Sequence, residues 1–150
     1  MRRTDREIKE SEAFSILEKG EYGILSTVSE TGVPYGVPLS YCVVGGNVYI
    51  HSALEGHKVS NLQARPSVSF CVVINTEVLP GEFSSRYESC ILKGMAEEVS
   101  GDEKQSALEG FLFKYSRNFL AEGKRYIEKF IDKTKVFRIS IDLITGKARR

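Results

Sequence analysis

Six apolar segments of strand length, separated by turn residues, constrain the fold of this chain more than any other sequence feature. They cover residues 22–29, 33–44, 48–53, 68–75, 87–99 and 135–143. Gly45, Gly46 and Asn47 separate the second segment from the third and give a strong hairpin signal. Tight turns between consecutive strands favour antiparallel pairing, and six such strands tend to close and remove exposed edges. The pattern predicts an α+β fold built on an antiparallel six-stranded barrel.

Apolar residues also recur at helical spacing in four places beside these strands. Two predicted helices cover residues 11–19 and 56–64. A third is capped by Asp102, and a fourth follows Gly123. Residues 76–85, with Pro80 and Gly81, are typical of a loop. The order of elements is α-βββ-α-ββ-αα-β. No repeat or linker interrupts it, so residues 1–150 form one predicted domain.

The second strand, residues 33–44, carries two prolines. Pro34 and Pro38 cannot donate to a strand ladder, which indicates a bulge, an edge strand or an opened ladder. An opened ladder would leave backbone groups free for a ligand, whereas a plain edge strand would not, and the local pattern favours neither. Tyr35 and Tyr41 share the apolar face of this strand and are expected in the core.

Charge and cysteine usage narrow the function classes. Lys plus Arg number 21 against 20 for Asp plus Glu, and this balance argues against broad nucleic-acid binding. No segment is long and apolar enough to cross a membrane, and the N-terminus resembles no signal peptide. Cys42, Cys71 and Cys90 are widely spaced and form no CxxC pair. They indicate reduced thiols of a cytoplasmic protein, with no disulfide framework and no metal site.

The segment HSALEGHK, residues 51–58, contains the strongest candidate site. It joins a strand end to a helix start, where Gly56 permits close backbone approach and free N–H groups meet an anion. The helix end contributes only about 0.3–1 kcal/mol, so a phosphate would also need Lys58 and the Ser52 hydroxyl. The pattern predicts a phosphate or carboxylate site; a helix start with solvated His57 and Lys58 is the alternative.

Five motifs, in order along the chain, resemble a known family: GVPYGVPLSY (residues 32–41), VYIHSALEGHK (48–58), NLQARPSVSFCVV (61–73), RYESCILKGMAEEV (86–99) and ITGKARR (144–150). The family is the NimA-like branch of the pyridoxamine 5′-phosphate oxidase-related superfamily. The resemblance implies an antiparallel six-stranded split β-barrel with flanking helices. It also implies FMN as cofactor and a homodimer that holds FMN at the subunit interface.

The resemblance also implies a role for each motif. One group would line the isoalloxazine: Val37, Pro38, Leu39 and Ser40. Three residues would pass along the flavin: His51, Ser52 and Ala53. The phosphate would meet His57 and Lys58, with Asn61 supporting its pocket. The partner subunit or the pocket rim would supply Arg86, Tyr87, Glu88 and Ser89. The C-terminus would close the site with Thr145, Gly146, Lys147 and Arg149.

Each assignment has a structural alternative. His51 could be a hydrogen-bonded strand histidine, residues 86–88 a salt-bridged strand start, and residues 147–150 a solvated tail. No base and nucleophile pair is identifiable, so the catalytic residues are unknown.

The resemblance favours an oxidoreductase that reduces a small nitroaromatic, such as a 5-nitroimidazole, through FMN. The longer C-terminal substrate-binding stretch of pyridoxamine phosphate oxidases does not follow Arg150, which argues against that reaction. The alternatives are a non-catalytic flavin-binding or redox-sensing protein, and a split barrel that uses haem or the deazaflavin F420.

Overall fold

The computed structural model describes residues 4–150, which form eight strands and four α-helices. The strands are β1 (Glu7–Ile8), β2 (Gly23–Val28), β3 (Pro34–Leu39), β4 (Cys42–Val44), β5 (Asn47–Ser52), β6 (Ser67–Leu79), β7 (Ser84–Val99) and β8 (Lys135–Arg149). The helices are α1 (Glu10–Lys19), α2 (His57–Ala64), α3 (Gly101–Tyr115) and α4 (Leu120–Phe130). None of these helices is long and apolar enough to span a bilayer.

All eight strands belong to one antiparallel sheet with the order β3-β2-β6-β7-β8-β5-β4, and β1 pairs with β8. The two ends of this order, β3 and β4, are consecutive in the chain and are joined only by Ser40 and Tyr41. The sheet must therefore curl until its two end strands meet, although they do not pair with each other in the described residues. This arrangement is a split barrel, and the predicted α+β fold with flanking helices is confirmed.

The strand count is eight instead of the predicted six because the segment 33–44 is divided and β1 was not anticipated. At the division, the Tyr41 backbone N–H donates to the Tyr115 hydroxyl at 3.1 Å instead of to a neighbouring strand. The Tyr41 side chain is fully buried, and its hydroxyl donates to the Leu17 carbonyl. Residues 40 and 41 thus leave the ladder. Pro34 and Pro38 themselves lie in an unbroken ladder with β2 on a terminal strand of the sheet, as the edge-strand alternative has it, and the ladder opens only after them.

Two apolar clusters fill the molecule. The barrel interior contains fully buried side chains from four strands, such as Leu25, Phe70, Leu92 and Ile139, and is plugged by α1. A smaller cluster lies where α3 and α4 pack against the outside of the barrel, around Phe111. Tyr41 belongs to the barrel core as predicted, whereas Tyr35 is only half-buried.

The β6–β7 connection and the C-terminus are more ordered than predicted. The expected loop over residues 76–85 is mostly strand, because β6 continues to Leu79 past a register shift after Ile74 and only a 3-10 turn, Pro80–Glu82, remains. The basic ending is not a solvated tail, since β8 continues along β7 to Arg149. In this ladder Lys147 is the register partner of Ser89, and Arg149 is the register partner of Tyr87.

Two helix starts also differ from prediction. The N-cap of α3 is Ser100 instead of Asp102, so Asp102 lies within the first turn. Helix α4 begins before Gly123, at Leu120. A Cβ at position 123 would lie 2.5 Å from a Leu112 methyl group, so this glycine permits close packing of α4 on α3 instead of marking a helix boundary.

Candidate functional site

The strand-to-helix junction of residues 51–58 has the geometry of an anion site. Gly56 is the N-cap of α2 and has φ of 136°, a conformation that favours glycine. The first helical bond of α2 runs from the Ser60 N–H to the Gly56 carbonyl. The N–H groups of residues 57–59 precede that bond and lack intrahelical partners, so they are available to an anion.

Lys58 brings a positive charge to this junction. Its Nζ donates to the His51 carbonyl at 3.3 Å, and no carboxylate within residues 4–150 pairs with it. Partial burial lowers the pKa of Lys58, because desolvation disfavours the charged amine. A half-buried amine without an acidic partner is suited to an anionic ligand, which would supply the missing charge.

His57 and Asn61 connect α2 to the barrel in different ways. The His57 ring stacks on Tyr35 of β3, with centroids 4.2 Å apart. The Asn61 amide donates to the Thr27 hydroxyl at 2.9 Å, and both residues are buried, with 3% and 2% of their surface exposed. The Asn61 side chain therefore fixes α2 on β2 and can support the junction only by positioning it.

The predicted isoalloxazine residues, Val37 to Ser40, lie on a sheet-end strand. Val37 and Leu39 are half-buried and pack against the barrel core, whereas Pro38 and Ser40 are exposed on the opposite face. One edge of β3 pairs with β2, and the other faces the division from β4. The strand ends at the opening beside Tyr41, where β4 and β5 also pair. The stacking of His57 on Tyr35 places β3 beside the start of α2.

His51, Ser52 and Ala53 line a cavity of about 380 Å³ between β5 and the two C-terminal helices. The opposite wall is apolar and consists of Phe111, Leu112, Tyr126, Ile127, Phe130 and Ile131. The His51 ring packs edge-to-face against Phe111, with centroids 4.7 Å apart. Burial lowers the pKa of His51, and the Lys58 charge lowers it further, which favours the neutral imidazole at physiological pH.

The remaining predicted residues lie at the other end of the barrel. Val136 of β8 pairs with His51, whereas Lys147 and Arg149 pair with Ser89 and Tyr87 near the end of the same strand. At about 3.3 Å per residue, the roughly 11 residues from Val136 to Lys147 span about 36 Å along the strand. Within one chain, the structure does not bring these residues to the junction.

Three of the four charged side chains of this second group have partners within the chain, whereas Lys147 makes no ion pair among residues 4–150. Arg86 pairs with Glu77 at 3.0 Å, and Arg149 pairs with Glu82 at 3.1 Å. Glu88 accepts hydrogen bonds from Asn75 and Arg150, which hold the pKa of its carboxyl below the usual value. The Tyr87 hydroxyl accepts from Arg6. These contacts stabilise the strand ends.

Sequence reasoning did not find the helical wall of the cavity. Its residues Leu108 and Phe111, and likewise Ile127 and Ile131, recur at helical spacing. Such spacing normally identifies a helix face that packs in the core. The surplus of large aromatic residues on two short consecutive helices was the only available signal, and core packing explains it equally well.

Comparisons with known proteins agree with this architecture. A candidate 5-nitroimidazole antibiotic resistance protein from Bacteroides thetaiotaomicron is 23% identical, with TM-score 0.75 over 94% of this chain and 85% of that chain. An FAD-binding protein from Mesorhizobium loti is 22% identical, with TM-score 0.69 over 97% and 98%. The haem storage protein HutZ from Vibrio cholerae is 13% identical, with TM-score 0.67 over 92% and 94%. Identities this low establish the fold alone.

No curated protein sequence matches the chain. The family described as pyridoxamine 5′-phosphate oxidase matches residues 9–148. This range includes all five motifs except Arg149 and Arg150, the last two residues of the fifth motif. The match covers nearly all of the split barrel, and the predicted resemblance is confirmed. The chain belongs to the pyridoxamine 5′-phosphate oxidase family.

Proposed function

We propose that this protein is an FMN-dependent oxidoreductase whose flavin phosphate binds at the junction of residues 51–58. The observation that carries the proposal is Lys58, a half-buried amine without an acidic partner in the described chain, beside the free N–H groups of α2. A phosphate there would receive charge-assisted hydrogen bonds of about 1.5–3 kcal/mol each.

The residues around the junction fit the rest of the cofactor. A flavin anchored there would extend along Val37 to Ser40 and along His51 to Ala53, with His57 and Lys58 at its phosphate. Bound FMN supplies hydride and electron transfer, while the protein supplies binding, orientation and electrostatic tuning. The Asn61–Thr27 hydrogen bond keeps α2, and so the phosphate contacts, in a fixed position on the barrel.

We propose a homodimer with FMN at its interface. A second subunit would bring Arg86, Tyr87, Glu88, Ser89, Lys147 and Arg149 to a flavin that they do not reach within their own chain. Support comes from an apolar row across the outside of the sheet, where Pro38, Ile24, Cys71 and Ile91 are register partners on successive strands. Ile24 and Ile91 are 42% and 47% exposed, as expected of a surface that a partner covers.

The proposed substrate is a small nitroaromatic compound such as a 5-nitroimidazole. Support comes from the family motifs and from the Bacteroides thetaiotaomicron protein with the same fold. The proposed location is the cytoplasm, because the three cysteines are free thiols.

The test starts from the colour and mass of the purified protein. We expect a flavin absorbance spectrum after reconstitution with FMN, and a dimer by light scattering. NADH or NADPH should reduce the bound flavin, and a nitroaromatic compound should reoxidise it. A colourless monomer that cannot be reconstituted with FMN would refute the proposal. FMN binding without turnover on a broad panel of donors and acceptors would indicate a redox or flavin sensor instead.

Haem is the second candidate ligand, and one structural observation favours it. His51 lines an apolar cavity, and its lowered pKa favours the neutral imidazole that binds iron. The fold of HutZ supports the same alternative. Titrations of the protein with FMN, haem and the deazaflavin F420 distinguish the three ligands by their absorbance spectra.

A further inference from the structure

We propose that the cavity between β5, α3 and α4 is a binding site for a flat aromatic carboxylate, separate from the flavin and next to it. The inference rests on the proposed function only for the position of the flavin along residues 51–53. It identifies a ligand class for a cavity that the phosphate site does not use.

The shape and lining of the cavity indicate an aromatic ligand. Its volume of about 380 Å³ lies in the range of small-molecule sites, which are mostly apolar with a few polar groups. The rings of Phe111, Tyr126 and Phe130 contribute to the wall, and Tyr126 packs on Phe130 with centroids 4.5 Å apart. Flat faces of this kind favour stacked or edge-to-face contact with another ring.

The charge of the lining indicates an anion. No acidic residue lines the cavity, whereas Lys133 does. Lys133 is exposed, and its amine makes no hydrogen bond or ion pair with any other residue between positions 4 and 150. A carboxylate on the ligand would therefore meet a cation that is not already neutralised, while the ring would occupy the apolar part.

The helical wall depends on a small buried contact area. Of the residues of α4, only Ile127 is buried, and the helix packs mainly on α3 through the close approach at Gly123. The aromatic surface that α4 presents to the cavity is therefore not covered by the chain itself. A ring in the cavity would cover it and would add contact between α4 and the barrel.

The experiment uses 2-naphthoate as the probe, titrated calorimetrically into the FMN-loaded full-length protein. Two matched compounds accompany it: 2-naphthamide, which lacks the charge, and decahydronaphthalene-2-carboxylate, which lacks the flat ring. We expect 2-naphthoate to bind at least 5-fold more tightly than either compound, without loss of FMN absorbance.

Four variants locate the binding site. Lys133→Gln should abolish the preference for naphthoate over naphthamide, and Phe130→Ala should weaken both compounds about 10-fold. The matched controls are Lys124→Gln and Phe119→Ala, which lie in the same helical region but outside the lining, with Phe119 63% exposed. Neither control should change binding. Lys133→Gln alters an exposed side chain, so it tests the proposal even where Phe130→Ala fails to fold.

Three results would overturn the inference, and they differ from a failure of the proposed function. The first is no naphthoate binding to FMN-loaded protein, and the second is equal effects of Lys133→Gln and Lys124→Gln. The third is competitive displacement of FMN by naphthoate, which would make the cavity the seat of the flavin ring and leave the proposed function intact. Naphthoate binding to a chain that never binds FMN would refute the proposed function and retain the aromatic site.

Discussion

The two ends of the barrel carry similar charges in the sequence but use them differently. The junction end comprises residues 51–58 and Lys133; the C-terminal end comprises residues 86–89 and 147–150. At the C-terminal end, all three arginines have carboxylate partners: Arg86 with Glu77, Arg149 with Glu82, and Arg150 with Glu12 and Glu88. Lys147 is the exception at this end, since it pairs with no carboxylate among residues 4–150. At the junction end, Lys58 and Lys133 pair with no carboxylate among residues 4–150.

The difference shows which charged side chains a ligand can bind without displacing an existing ion-pair partner. An anion that binds Lys58 adds a partner, whereas an anion that binds Arg86 or Arg149 must compete with a carboxylate already in place. Charge alone therefore does not identify a binding residue. The C-terminal arginines would contribute to a flavin site only where a partner subunit rearranges these ion pairs or places the flavin beside them.

The largest expected effect is on FMN affinity at the junction end. Lys58→Ala removes the unpaired cation and should weaken FMN binding by about 1.5–3 kcal/mol, or roughly 10- to 150-fold. Flavin fluorescence titration measures the change. Because Lys58 lies at the start of a helix and makes no ion pair, the fold should persist, and circular dichroism checks this.

Arg86→Ala is the matched change at the C-terminal end. We expect less than a 3-fold change in FMN affinity, because the Arg86 guanidinium already pairs with Glu77. An equal loss in both variants would break the contrast between the two ends. It would indicate that Arg86 of the partner subunit gives up its ion pair with Glu77 to bind the flavin.

The next effect is on stability at the junction end. Asn61→Ala leaves the buried Thr27 hydroxyl without its 2.9 Å donor and should lower the free energy of unfolding by about 1–2 kcal/mol. Urea denaturation measures this change. The double variant with Thr27→Val should lose less than the sum of the single variants, since the two side chains form one contact. Strict additivity would show that Asn61 does not hold α2 through Thr27.

Local patterns predicted the fold well where one segment makes one element. The Gly45-Gly46-Asn47 turn produced the β4–β5 hairpin, and the barrel class followed from the strand pattern. The breaks and extensions depended on distant partners. Ser40 and Tyr41 leave the ladder because Tyr115, about 74 residues away, accepts the Tyr41 N–H. The basic C-terminus becomes strand because β7 supplies backbone partners, which no local signal reveals.

For the candidate site too, local features could be predicted from the sequence, whereas contacts between distant segments could not. The anion-binding geometry at Gly56 and Lys58 follows from residue types and spacing, so the sequence contains it. Stacking of His57 on Tyr35 and the buried Asn61–Thr27 hydrogen bond join segments that are distant in the chain. The ion pairs of the C-terminal end are equally non-local, and for that reason a motif could not distinguish paired arginines from available ones.

A smaller effect is expected at the C-terminal end. Glu88→Gln weakens the contacts to Asn75 and Arg150 and should destabilise the protein by about 0.5 kcal/mol, because partly exposed ion pairs contribute little. The folded-state pKa of Glu88 is lowered, so its contribution is present above about pH 4.5 and is lost as pH falls through the folded value. The difference in the free energy of unfolding should thus be larger at pH 7 than at pH 3. Added salt should reduce it.

The smallest expected effect is the titration of His51 at the junction end. Burial is the larger cause of its lowered pKa and the Lys58 charge the smaller, so Lys58→Met should raise the midpoint only partly towards about 6.5. Proton NMR of the imidazole measures it, with His57→Gln to assign the two histidines. The folded protein binds fewer protons than the unfolded chain between the two pKa values, so stability should fall as pH drops below about 6.5, and less so in His51→Gln. Lys133→Met is the control, because Lys133 lines the same cavity without contributing to this pKa shift. An equal shift from both lysines would show that the field at His51 belongs to the whole cavity instead of to Lys58.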